Sequence, residues 1–68
     1  MKYDELPEIM TAQNIADYLG ISRKTVYKLL EIAPAVGGIP RFNIGASKRV
    51  DKIDFKHWLD EQKGKLSA

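Results

Sequence analysis

Two short amphipathic segments stand only two residues apart near the start of the chain, and this spacing limits the possible folds more than any other feature. Ala12, Ile15, Ala16 and Leu19 recur at helical period behind Thr11, a good N-cap, and Gly20 stands where such a helix would end. Ser22 is another N-cap residue, and Val26, Leu29 and Leu30 form a second apolar stripe after it. With only Gly20 and Ile21 between Leu19 and Ser22, the two helices have to meet in a tight corner.

Two short helices joined in this way have the layout of a helix-turn-helix. Past Leu30, Pro34, Gly37, Gly38 and Pro40 end the second helix and impose a loop. Arg41-Phe42-Asn43-Ile44 then alternates polar and apolar residues, Gly45-Ala46-Ser47 has the length of a hairpin connection, and Lys48-Arg49-Val50 can return. The pattern predicts a two-stranded wing with Phe42, Ile44 and Val50 toward the core and Arg41, Asn43 and Arg49 outward. Asp51 can cap a third helix, with Asp54 near its third position and Phe55, Trp58, Leu59 and Gln62 at helical spacing. That helix is expected to stop at Gln62 to Lys63, ahead of Gly64. The expected fold class is α+β, mainly α: a small winged helix-turn-helix of three helices and a two-stranded β-hairpin. A partly ordered leader (1–9) precedes the domain (10–62) and a tail (63–68) follows it, with residues 1–8 and 64–68 frayed.

The chain has 68 residues, no cysteine and a single histidine, His57, so neither disulfides nor a metal site can staple it and its stability must come from packing. His57 reads as a solvated side chain. The longest uncharged stretch, Ile32 to Pro40, is a loop and too short for a membrane span, and the acidic N-terminus lacks an apolar signal region. A cytoplasmic protein is the expectation. No phosphate-cradling glycine loop and no paired nucleophile and base occur, which argues against an enzyme and against a cofactor or small-molecule substrate.

The formal charge of +2 is unevenly spread. Residues 1–21 set Lys2 against Asp4, Glu5, Glu8 and Asp17, a net of −3. Residues 22–52 set Arg23, Lys24, Lys28, Arg41, Lys48, Arg49 and Lys52 against Glu31 and Asp51, a net of +5, while the remaining residues cancel. A local positive field between less basic flanks suits a polyanion. At 100° per residue, Lys24, Tyr27, Lys28 and Glu31 lie opposite the apolar stripe of the second helix, giving an outward face that is basic and aromatic. The candidate duplex-DNA contacts are Ser22, Arg23, Lys24, Thr25, Tyr27 and Lys28 on that helix and Arg41, Ser47, Lys48 and Arg49 on the wing, where arginine suits a narrow minor groove. Several of these residues have a second reading. Thr25 could serve only the Ser22 cap, Tyr18 and Tyr27 could be packing groups, and Arg41 could pair with Asp51 or Asp54.

Met10 to Leu30, with Ile39 to Gly45 and Arg49 to Leu59, resembles the excisionase-type helix-turn-helix domains, small relatives of MerR-like winged helices. The resemblance covers residues 10–62, departing in a longer loop from Glu31 to Gly38. It implies a recombination directionality factor of a phage or other mobile element, one that binds and bends DNA near attachment sites and helps a site-specific integrase. It also implies cooperative self-association on DNA. A small transcriptional regulator of the same element would need the same grip, and a protein-interaction module with a basic face is the reading from a different class.

Overall fold

Both helix caps form as their side chains allow. In a computed structural model, which describes residues 2–67, Thr11 Oγ1 accepts the Asn14 N–H at 3.1 Å and the Thr11 N–H donates to Asn14 Oδ1 at 2.9 Å. These bonds satisfy donors left open at the start of α1 (Ala12–Leu19). The helix stops at Gly20, whose φ of 70° is the left-handed value a helix C-terminus commonly needs. The N–H groups of Gly20 and Ile21 both return to the Ala16 carbonyl. Ser22 Oγ then accepts from the Thr25 N–H at 3.2 Å and opens α2 (Arg23–Glu31).

Ala12, Ile15 and Ala16 of α1 pack with Val26 and Leu30 of α2 in one buried cluster, to which Leu19 and Leu29 are partly buried additions. The loop after α2 adds a residue that the periodic patterns did not reveal. A 3-10 turn at Pro34–Val36 and a positive φ of 104° at Gly37 fold the chain back. Gly38 then passes so close to the Ile32 carbonyl that any Cβ there would collide with it. The Ile39 N–H reaches the Leu29 carbonyl at 3.4 Å, and the Ile39 side chain is fully buried.

The sheet has three antiparallel strands, β1 (Ile9–Met10), β2 (Phe42–Ile44) and β3 (Ser47–Asp51), in the order β1-β3-β2. Two strands were expected. The third comes from the leader, where two residues are too few to show an alternating pattern; Ile9 pairs with Asp51 and Met10 with Val50. The hairpin also differs in register. Ile44 pairs with Ser47, leaving only Gly45 and Ala46 in the turn. Gly45 has a φ of 61° and among the described residues no other residue type has a positive φ, so the glycine comes first, as in a type II′ turn. A three-residue connection would have set Ile44 against Lys48, and the one-residue difference reverses which face each side chain meets. Phe42 lies across from Arg49, and both Phe42 and Ile44 remain exposed at 40% and 59%. Of the three residues expected in the core, only Val50 is there, at 1%.

Asp51 Oδ1 accepts the Ile53 N–H at 2.8 Å and the Asp54 N–H at 3.4 Å, opening α3 (Lys52–Ser67). The helix continues through Gly64, beyond its expected end at residue 62 or 63. An interior glycine costs about 1 kcal/mol relative to alanine, which is not enough to stop the helix. Phe55 and Trp58 form an aromatic layer, with centroids 6.0 Å apart and planes 24° from parallel. The Trp58 indole N–H donates to the Gly37 carbonyl at 3.0 Å, which holds the 34–38 turn against α3.

The leader is tied down where fraying was expected. Leu6 is buried, the Lys52 N–H donates to the Glu8 carbonyl at 2.8 Å, and Lys52 Nζ donates to the Leu6 carbonyl at 3.1 Å. The same ammonium sits 4.5 Å from the centroid of the Tyr3 ring, and the Tyr3 hydroxyl donates to the Lys52 carbonyl at 3.3 Å. Met1 and Ala68, also expected to fray, lie outside the described residues. None of the described helices is long and apolar enough to cross a membrane.

Candidate nucleic-acid interface

The corner between the helices, together with the two-residue hairpin turn, leaves an open cleft of about 540 Å³ on one side of the molecule. Three elements line it. Thr11, Ala12 and Gln13 come from the start of α1, Arg23 and Tyr27 from α2, and Ala46, Ser47, Lys48 and Arg49 from the hairpin. Of these nine residues, three are cations, three carry hydroxyls, Gln13 adds an amide, and none is a carboxylate. Such a wall offers hydrogen-bond donors and positive charge together, which is the chemistry that receives phosphate oxygens.

Five of the ten sequence candidates meet in this cleft: Arg23, Tyr27, Ser47, Lys48 and Arg49. Arg49 is half-buried, and its Nη1 donates to the Lys48 carbonyl at 2.9 Å, which fixes the guanidinium beside the cleft. Lys24 and Lys28 are exposed one helical turn apart and lie outside the lining. Ser22 and Thr25 are also outside it. Their hydroxyl oxygens lie 2.9 Å apart, and the Ser22 oxygen also holds the Thr25 N–H, so both groups take part in the start of α2. Arg41 precedes β2, is exposed, and makes no ion pair with Asp51 or Asp54 among the described residues.

The two tyrosines left open by the sequence separate cleanly. Tyr18 packs edge-on against Tyr3 and Phe55, at centroid distances of 6.5 and 5.9 Å. Tyr27 is 46% exposed and belongs to the cleft. Among the described residues no group of three or more His, Cys, Asp or Glu could hold a metal ion, and His57 is exposed.

The sequence reading missed four lining residues: Thr11, Ala12, Gln13 and Ala46. Gln13 is exposed and its Nε2 donates to Asp17 Oδ1 at 2.8 Å, which steadies the amide at the cleft wall. Its place at the start of the polar face of α1 was readable. Only the packing of α1 beside β3 brings it near the hairpin.

No curated protein and no solved structure matched the chain. A family model described as a helix-turn-helix domain matches residues 9–63, most of the 68 residues, and that family includes excisionase-like DNA-binding proteins. With two capped helices meeting at Gly20 and a hairpin beside the second, the chain belongs to the helix-turn-helix domain family and is a DNA-binding domain.

Proposed function

We propose that this protein is an excisionase, a recombination directionality factor that binds and bends duplex DNA beside attachment sites and assists a site-specific integrase. The observation that carries the reading is the cleft whose lining, drawn from α1, α2 and the hairpin, is cationic and donor-rich without a carboxylate. On this reading one sugar-phosphate strand lies in the cleft, held by Arg23, Lys48 and Arg49 with the hydroxyls of Thr11, Tyr27 and Ser47. Lys24 and Lys28, on the outward face of α2, reach the base edges of the major groove, where lysine donates to guanine O6 and N7. Phosphate contacts set the register and base contacts supply the sequence preference.

Gripping DNA on two sides of one backbone strand favours a bent duplex, whose deformation costs a few kcal/mol that the added contacts offset. A single module of this size buries roughly 600–1,000 Å² on DNA. Further copies along the duplex, with an acidic leader on one meeting the basic middle of the next, would add to that grip. The deciding experiment is integrase-dependent excision of the parent element with and without this protein. Excision that rises with the protein supports the reading. DNA binding with no effect on excision assigns the protein instead to regulating transcription of the element.

A further inference from the structure

Two apolar side chains on the hairpin lie outside the buried core. Phe42 and Ile44 stand two residues apart on β2, so they project to the same face, and the hairpin register turns that face away from Val50 and the core. Ile44 is the last residue before the turn and is 59% exposed; Phe42 is 40% exposed. Across the ladder they pair with Ser47 and Arg49. Both of those residues line the cleft, so the apolar pair continues the surface the DNA backbone would follow.

We propose that Ile44, backed by Phe42, is an apolar wedge that enters the minor groove beside the cleft and partly unstacks one base step. The proposal rests on the DNA-bending reading above and supplies its mechanism. The occupant is duplex DNA because the patch is continuous with a cationic, donor-lined cleft. Arg49 lies directly across the ladder from Phe42 on the same face, and Arg41 and Lys48, the sequence neighbours of Phe42 and Arg49, fall on the opposite face, so cations stand on both sides of the hairpin that would meet phosphates across a groove. The small residues Gly45 and Ala46 beside Ile44 leave the tip narrow enough to approach the groove floor. Apolar side chains inserted between base steps kink the duplex toward the major groove, and flexible pyrimidine–purine steps yield most easily. The register that kept Ile44 out of the core is therefore what makes it available.

The test uses the full chain and a duplex selected by the wild-type protein from a random-sequence pool, with 2-aminopurine placed at its pyrimidine–purine steps. Wild-type protein should raise 2-aminopurine fluorescence at one step and bend the duplex in a circular-permutation gel. Ile44→Ser should abolish the rise, reduce the bend and weaken binding about fivefold, while leaving the slope of log K against log salt unchanged, because no phosphate contact is lost. Ile44→Leu should restore all three readouts. Ile53→Ser, an exposed isoleucine of α3 outside the cleft lining, should behave as wild type. The thermal melt of each variant reports whether it is folded. Bound wild-type protein that unstacks no step, or folded Ile44→Ser complexes as bent as wild type, overturns the wedge while the DNA-binding reading stands. Unchanged bending by Ile44→Ser with lost excision also overturns it and makes this face a protein-docking surface. If the wild-type chain selects no duplex at all, the DNA-binding reading falls and the wedge falls with it.

Discussion

The second helix and the hairpin face each other across one cleft, yet they are anchored very differently. α2 buries Val26 and Leu30 completely and packs Leu29 partly, whereas the hairpin buries Val50 alone and leaves Phe42 and Ile44 outside. A helix locked along its inner face holds Arg23, Lys24, Tyr27 and Lys28 at set angles. A hairpin with one buried anchor keeps its other side chains available for a ligand. The comparison teaches that stability and binding are carried by different residues even where the two elements touch the same space.

The largest effect expected from breaking this division is on the core. Phe55→Ala, which removes the fully buried ring between Tyr18 and Trp58, should cost about 3–5 kcal/mol and abolish DNA binding by unfolding, as read in a urea melt. Gly38→Ala attacks the passage between them, where a Cβ meets the Ile32 carbonyl. A loss on the order of 1–3 kcal/mol in thermal stability is expected there. On the binding side, Arg23→Ala and Arg49→Ala should leave the melt nearly unchanged. Each should weaken DNA binding by roughly 1–2 kcal/mol and lower the log K against log salt slope by about one. Lys28→Ala should weaken binding by a similar amount while relaxing sequence preference, as a comparison of selected and scrambled duplexes would show. A comparable fall in melting temperature for Arg49→Ala would break the comparison outright. Ser22→Ala should cost about 1 kcal/mol of stability by removing the α2 cap. The smallest effect belongs to Asp60→Asn, which deletes the exposed Lys56–Asp60 pair at 3.1 Å and should shift stability by no more than about 0.5 kcal/mol.

The same division governs what could be read in advance. The helix-turn-helix was legible because its information is local: Thr11 and Ser22 cap, Gly20 stops the helix, and the apolar stripes repeat within a few residues. The hairpin was legible only as a hairpin. Its register depended on whether Ser47 belongs to the turn or to the strand, and that one residue decided the side of Phe42 and Ile44. Ile39 escaped notice because it lies among glycines and prolines, and its burial comes with a fold-back of the 34–38 turn that brings its N–H to the Leu29 carbonyl and Gly37 to Trp58, contacts between residues distant in sequence. In the cleft, Arg23, Tyr27, Ser47, Lys48 and Arg49 were visible as exposed basic, aromatic and hydroxyl groups on two adjacent elements. Gln13 needed the third element, whose approach no local pattern encodes.

The bond from Trp58 to the Gly37 carbonyl also gives the molecule an optical reporter. Trp58 is the chain's single tryptophan, it stacks on Phe55, and it lies outside the cleft lining. Its emission therefore reads the contact between the 34–38 turn and α3, reddening when that contact opens to water. DNA entering on the other elements is expected to leave it undisturbed, so tryptophan emission, excited apart from the tyrosines, should distinguish loss of fold from occupancy of the cleft without an added label.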